Sequence, residues 1–549
     1  MKYTYLALFL SLSYSSTLFS KETINLVVTQ KDGNRKNFII NKDELGAFKN
    51  SNASSLIEKD ILVATPKTLP KNYNSDLPPL TLDKRQSSLH QDFYAKSSNK
   101  SDYLPNDEYF DQQYYWQTAN EEYLAYNNIL ASVRHLSPLR RSVVGIVDSG
   151  FYQHPDLIFT DGYSFTRVAD AQRKEYFYIP EEFNNSPADR ISNCFIHGTA
   201  VAGVATAIRD NSIGFAGIAD ADLIVARSLN CGLGFLSDTA DAILWQLGQH
   251  VDDIRVPTLT ADVINLSLGG GSETCPSYIQ NSIDAANEQG VPVVVAIGNQ
   301  QIDAAGFSPS NCQGVINVAA VSRTGDLFKT SNFGTPIDIA AFGDGVAGMT
   351  EEPNAIGYWD ESSFATPIVT GVISNALSEF VTLNIDEIKF FLTVTALPFI
   401  AGQCDDSRRC GPGILDAEKF HLGLRDYRDG EILSFRPVLN NTQFCDKSLY
   451  ATDNAELTRL CNTVELVLPK HQSNRNDIRF ELLAFEKGKN LTFDNGSLVM
   501  STQSTHSLLG DLNLDENNYG VRMCNSERCF GTSAIQITDL SQNAPAICN

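Results

Sequence analysis

Val143-Val144-Gly145-Ile146-Val147-Asp148-Ser149-Gly150 is the stretch on which the fold turns. Four β-branched residues around one glycine, with no polar alternation, describe a strand buried on both faces, and Asp-Ser-Gly ends it in a turn. Runs of the same texture recur at Ala221 to Leu229, Asp262 to Leu268, Val291 to Ile297 and Val315 to Val321, with helix-length patterns between them. Strands and helices alternating in this way predict an α/β unit: a doubly wound, mostly parallel sheet with helices on both faces. In such open sheets the chemistry gathers at the carboxyl ends of the strands, so Asp148 stands where a functional acid belongs.

Outward from this unit the texture changes twice. Residues 21 to about 105 are polar, rich in Lys, Asn and Ser, free of cysteine, and carry short strand-like runs such as Ile24-Asn25-Leu26-Val27-Val28. Beyond about residue 430, five Cys, turn pairs such as Asn495-Gly496 and few helical patterns predict a small β-rich domain. At the other end, Lys2, the apolar run Leu6 to Leu12 and small residues up to Ser20 read as an export signal too short to span a bilayer. The expected division is 1–20, 21–105, 106–430 and 431–549.

Across 549 residues, 65 acidic side chains outnumber 42 Lys and Arg, a net charge of −23 that argues against nucleic-acid binding and disfavours anionic membranes. All 11 Cys lie at or beyond Cys194 without zinc-type spacing, which in an exported chain points to disulfides.

Two further signatures follow Asp148. His197-Gly198-Thr199-Ala200-Val201-Ala202-Gly203 opens a helix of small residues suited to close packing. Ser362-Ser363-Phe364-Ala365-Thr366-Pro367 opens another; proline is accepted in a first helical turn, so Ser363 is expected at a helix N-terminus, where partial positive charge favours an oxyanion. Singly these are an Asp ending a strand, a His starting a helix and a Ser at an N-cap. Together, in the order Asp, His, Ser, they resemble the subtilisin family of serine proteases, from about Pro105 to about Ala417. Pro105-Asn106-Asp107-Glu108-Tyr109-Phe110 is similar to the start of mature members, and Cys410-Gly411-Pro412-Gly413-Ile414-Leu415-Asp416-Ala417 to the end of the domain in secreted bacterial ones.

The resemblance implies a secreted serine endopeptidase acting on polypeptides. A serine hydroxyl is a weak nucleophile at neutral pH and needs a base. His197 is the expected base, then the acid that protonates the leaving amine, and Asp148 holds the imidazole in the useful tautomer. Asn299, after Val293 to Gly298, is the expected oxyanion donor, a group worth ~3 kcal/mol. Ser267, Leu268, Gly269 and Gly270 resemble the edge that pairs with an extended substrate, with Ala296 and Gly298 as further substrate-binding positions. Gln300 replaces the acid many relatives carry, so no preference for basic side chains is expected; a large apolar or aromatic residue is expected before the cut.

Arg209-Asp210-Asn211-Ser212-Ile213-Gly214-Phe215 resembles a calcium loop, implying a structural Ca2+ held by the side chains of Asp156 and Asn211 and the carbonyls of Arg209, Ile213 and Phe215. Similar proteases imply the pair Cys231–Cys275. Cys404–Cys410 is the second expected pair, and proximity suggests Cys445–Cys461 and Cys524–Cys529. By the same resemblance, residues 21–105 are a pro-segment that assists folding and acts as an intramolecular inhibitor. Neither nucleic acid nor membrane is an expected partner.

The chain departs from the family at Glu361, where Gly normally stands; a positive φ there would strain a side chain. Ala200 replaces a second His of many relatives, and residues 160–193 read as an inserted surface loop. Glu361 motivates the alternative of a catalytically impaired relative that binds peptides or proteins.

Overall fold

The computed structural model describes residues 23–30, 35–52, 55–65, 103–116, 125–167, 196–230, 232–334, 336–350, 352, 354–397, 399 and 410–428, together with strands between 434 and 536. The export signal, 1–20, lies outside the described residues.

An antiparallel sheet comes first, with β1 (Thr23–Thr29) between β2 (Arg35–Asn41) and β3 (Leu56–Lys59). Helix α1 (Leu45–Ser51) lies between β2 and β3 in sequence, and the short strand β4 (Leu62–Ala64) and helix α2 (Ile129–His135) follow.

The central sheet has seven strands: β5 (Ser142–Asp148), β6 (Phe159–Ser164), β7 (Ala221–Arg227), β10 (Val263–Leu266), β12 (Val293–Ala296), β14 (Ile316–Val321) and β15 (Ile339–Phe342). Between these in sequence lie the short strands β8 (Leu229–Asn230), β9 (Leu233–Phe235), β11 (Gly270–Gly271) and β13 (Phe307–Ser308). The spatial order is β15-β14-β12-β10-β5-β7-β6, and every pairing is parallel. All five runs predicted from sequence are strands of this sheet. Its edges are β6, whose Thr160, Asp161 and Ser164 hide the strand signal, and the four-residue β15. The first residues of the stretch read as an inserted loop therefore belong to β6, and residues 168–193 of it lie outside the described residues.

Helices cover both faces because the strands are apolar on both. Val144 and Ile146 of β5 pack into one core with α3 (Ile196–Thr206) and α6 (Ser362–Glu379). Val143 and Val147 pack into the other with α4 (Leu236–Gln246) and α5 (Ser277–Glu288). Val27 of β1 and Val63 of β4 are buried in that second core, so the N-terminal strands pack on the α4–α5 face.

Two expectations are corrected. Pro367 lies in the second turn of α6, not the first, while Ser363, its second residue, does stand at the helix N-terminus. With no N–H at Pro367, the Ser363 carbonyl loses its helical donor and accepts the Ser267 hydroxyl at 2.8 Å instead. The second correction concerns Cys275, which is bonded to Cys312 and not to Cys231, with Cα atoms 5.0 Å apart, inside the span a disulfide requires. Cys312 follows the turn after β13, the strand that pairs with β11 just before Cys275. Cys231, Cys404, Cys445 and Cys461 lie outside the described residues, although Cys410 is disulfide-bonded.

Helices α7 (Ile385–Val394) and α8 (Ala417–Arg428) follow α6. Beyond them the described residues are all strand, in one three-stranded and one four-stranded antiparallel sheet. Cys524 and Cys529 are register partners on the last two of these strands.

Candidate active site

The strand order turns at β5, with β7 on one side and β10 on the other, and the candidate residues gather at the carboxyl ends there. Asp148 is the last residue of β5 and fully buried. His197, second in α3, meets it through Nδ1 at 2.9 Å from Oδ1 and 3.1 Å from Oδ2. Gly198 makes this approach possible: a Cβ there would stand 2.4 Å from the Gly150 carbonyl oxygen and 3.2 Å from Asp148 Oδ1. The imidazole lies edge-on to Phe364, with centroids 5.4 Å apart, and Phe364 stacks on Trp359. The buried Nε2 of His197 has no hydrogen-bond partner among the described residues.

Ser363 is carried by α6, next to Phe364, the residue against which the His197 ring packs. Its hydroxyl donates to the Ser267 carbonyl at 3.3 Å, beyond the usual O–H···O range and hence a weak bond. A hydroxyl so loosely held is free to turn to another acceptor. Asn299 follows Gly298, and its Oδ1 accepts from both Ser362 N, at 2.9 Å, and the Ser362 hydroxyl, at 2.8 Å. Two donors on one oxygen fix the orientation of the amide and leave Nδ2 to donate. Ser362, which the sequence reading passed over, is thus what holds Asn299.

Ser267, Leu268, Gly269 and Gly270 continue β10 beyond the sheet, and they already carry a strand of this chain. Ala64 N donates to the Gly269 carbonyl at 3.0 Å, Gly269 N returns to Ala64 at 3.4 Å, and Thr65 N donates to the Gly232 carbonyl at 3.0 Å. On its other edge β4 pairs antiparallel with β9. Nearby, Glu58 accepts Ser277 N at 2.8 Å, and Asp60 accepts Ser237 N at 3.2 Å and the Ser237 hydroxyl at 2.6 Å. These are the first turns of α5 and α4, neither of which has a side-chain cap of its own. Arg167 bridges Asp60, at 2.8 Å, and Asp238, at 2.6 Å.

Ala296 ends β12, and Gly298 lies two residues on. Between Gly298 and Gly269 stands the ring of Phe307, a residue no motif singled out. Its Cε1 would be 2.2 Å from a Cβ on Gly269 and 2.8 Å from one on Gly298. The large apolar or aromatic side chain expected before the cut does not fit this arrangement.

At the loop after α3, Asp156 accepts Phe215 N and Asn211 Nδ2, each at 2.8 Å. Asp107, which the sequence motif did not assign to the loop, accepts Asp210 N at 3.0 Å and Asn211 N at 3.4 Å. Burial pushes the Asp156 carboxyl up to about 7, with Asp107 adding its charge, and burial pushes Asp107 up to about 6. Gly214 has φ +55°, and a Cβ there would sit 2.4 Å from Asp156 Oδ2. Among the described residues no group of three or more His, Cys, Asp or Glu is arranged to hold a metal. Calcium takes much of its shell from carbonyls, so two destabilised carboxylates closing on one tight loop that carries an amide fit it.

Residues 140–427 match the subtilase family model. The chain is 36% identical over 302 residues to an extracellular protease of Xanthomonas campestris pv. campestris, covering 50% of each chain. It is 33% identical over 307 residues to an extracellular basic protease of Dichelobacter nodosus, covering 50% of this chain and 49% of that one. The chain therefore spans about half the length of the curated relatives it matches. A solved structure of a Pseudoalteromonas arctica protease aligns with TM-score 0.51 and 32% identity, covering 58% of this chain and 99% of that one.

Proposed function

This chain belongs to the subtilase family, and from that premise we propose that it is a secreted serine endopeptidase in which Ser363, His197 and Asp148 form the triad. The observation that carries the reading is the buried Asp148–His197 pair, 2.9 Å apart, whose Nε2 is left unbonded among the described residues and whose ring packs against Phe364, the neighbour of Ser363.

Ser363 attacks the scissile carbonyl while His197 Nε2 takes its proton. His197 then gives that proton to the leaving amine, and water repeats the sequence to free the acyl group. Asp148 keeps the Nδ1–H tautomer and stabilises the imidazolium. The oxyanion forms beside the N-terminus of α6 and receives Asn299 Nδ2, whose amide is set by Ser362. Ser267, Leu268, Gly269 and Gly270 pair with the substrate backbone, as Gly269 does with Ala64.

That pairing also supports residues 21–105 as a pro-segment and intramolecular inhibitor, with 106–430 as the catalytic unit and 431–549 as a β-rich extension. The export signal read at 1–20, together with relatives named as extracellular, supports secretion. No helix among the described residues is long and apolar enough to cross a membrane. Asp156, Asn211 and Asp107, with carbonyls of Arg209, Ile213 and Phe215, would hold a structural Ca2+, which neutralises the paired carboxylates when bound. Melting with EGTA and with millimolar CaCl2 tests the metal: chelation is expected to lower Tm by several degrees, and equal curves would remove calcium from the reading.

The decisive experiment treats the purified full chain with a fluorophosphonate probe beside Ser363→Ala. Labelling confined to the wild type and mapped to Ser363 is expected. An unlabelled, folded and processed wild type would leave a peptide-binding relative in place of the enzyme.

A further inference from the structure

We propose that Phe307 sets the specificity of the cut, closing the slot that would receive the side chain before the scissile bond, so that the chain cleaves after Gly, Ala and Ser. The proposal rests on the endopeptidase reading above and names the substrate class of that same site.

The slot is defined by the sheet. Ser267–Gly269 and Ile297–Gly298 are the continuations of neighbouring parallel strands, β10 and β12. Ser363 stands at their mouth, with its hydroxyl on the Ser267 carbonyl, while the Ser362 hydroxyl accepts Gly298 N at 3.2 Å. A peptide laid antiparallel on Gly269, in the register Ala64 uses, brings the residue two positions further on opposite Ser267 and so beside Ser363. The side chain of that residue must enter between the two continuations.

Glycines on both walls would ordinarily leave room for it. Here the room is taken. The same ring atom of Phe307, Cε1, would lie 2.2 Å from a Cβ on Gly269 and 2.8 Å from one on Gly298, and Phe307 is 4% exposed. The glycines accommodate this ring rather than a substrate's. Its backbone is held in place, since β11 and β13 pair Gly271 with Phe307 and Gly270 with Ser308. Clearing the slot would mean breaking that pairing or forcing the ring off its rotamer in a close-packed setting. Only a side chain that needs no depth can be accepted.

The test uses the purified, processed product of the full chain. Fluorophosphonate labelling first shows whether Ser363 is reactive. A peptide series varied only at the residue before the cut is then assayed for kcat/KM. Wild type is expected to favour Ala or Gly over Phe or Leu by at least about 100-fold, the scale on which a site too small for a group rejects it. Phe307→Ala is expected to narrow that ratio by about 100-fold, chiefly by raising cleavage after Phe and Leu, with Phe307→Leu between the two. A labelled wild type that cuts after Phe or Leu as readily as after Ala overturns the proposal and leaves the protease reading standing. Absence of labelling overturns the protease reading and the proposal with it. The wild-type profile decides even where Phe307→Ala fails to fold.

Discussion

Glu361 holds φ +88° and ψ 175° immediately before α6, a region that only glycine occupies without strain. Its N–H donates to the Gly343 carbonyl at 2.7 Å and its carbonyl accepts Phe364 N at 3.1 Å, so the backbone is held there from both sides. The strain has an order of about 1–3 kcal/mol, set against the roughly 0.5–1 kcal/mol that glycine loses through its freer unfolded chain. Glu361→Gly is therefore expected to stabilise the chain by about 1 kcal/mol, a rise in Tm of about 2 °C, with probe labelling of Ser363 retained. A lower Tm would mean that the buried side chain contributes more than its backbone costs. Asp148, His197 and Ser363 were legible because each sits on a local sequence signature. Phe307 was not, because its ring gains its role from β11 and Gly298, remote in the chain, and Gly306-Phe307-Ser308 says nothing of that pairing.

Elements were legible where burial on both faces leaves a continuous apolar run, as in β5, β10 and β14. They were not where one face meets polar groups, as at β6. Pro367 shows a limit of another kind: proline marks the neighbourhood of a helix start, but whether its missing N–H is tolerated one turn later depends on the Ser267 hydroxyl. The far end of α6 carries a titration. Glu379 accepts His421 Nε2 at 3.1 Å, Arg425 at 2.8 Å and Ser137 N at 2.7 Å, joining α6 to α8. Burial alone would raise its carboxyl, but the hydrogen bonds from His421, Arg425 and Ser137 outweigh it and hold the group at about 2. The folded pKa lies below the unfolded one, so this contribution is complete above the unfolded value and is lost as pH falls from about 5 towards 2. Glu379 is partly reached by solvent, which discounts the contribution to about 1–2 kcal/mol. Glu379→Gln is expected to lower stability by that amount at pH 7 and to flatten the acid limb of the stability curve. Parallel acid limbs for the two proteins would show that the ties to α8 are not coupled to protonation.

At the scale of the whole molecule, the N-terminal strands and the α4–α5 face answer each other. Sequence gave the polar, cysteine-free texture of residues 21–105 but not its docking, because Glu58 and Asp60 look like ordinary surface acids until two uncapped helix starts lie beneath them. Arg35 adds a contact of the same kind, donating to Asp241 at 2.8 Å and to the Tyr278 carbonyl at 2.9 Å. Carboxylates at helix N-termini gain from the dipole as well as from the bonds they accept, and hydrogen bonds to charged groups contribute about 1.5–3 kcal/mol each before losses elsewhere. The double change Glu58→Gln with Asp60→Asn keeps the shape of both side chains and removes their charge. It is expected to weaken docking by about 2 kcal/mol, roughly 30-fold. The full chain carrying Ser363→Ala is the background for the measurement, since it cannot cut itself. There, amide hydrogen exchange at Ala64 and Thr65, whose N–H groups are bonded to Gly269 and Gly232, reports opening of the strand directly. Exchange at both is expected to quicken by roughly 30-fold while the amides of β5 and β10 keep their protection. Faster exchange in all four places would indicate a general loss of stability. Unchanged exchange at Ala64 and Thr65 would mean that the apolar contacts of Val27 and Val63 hold the N-terminal unit on their own.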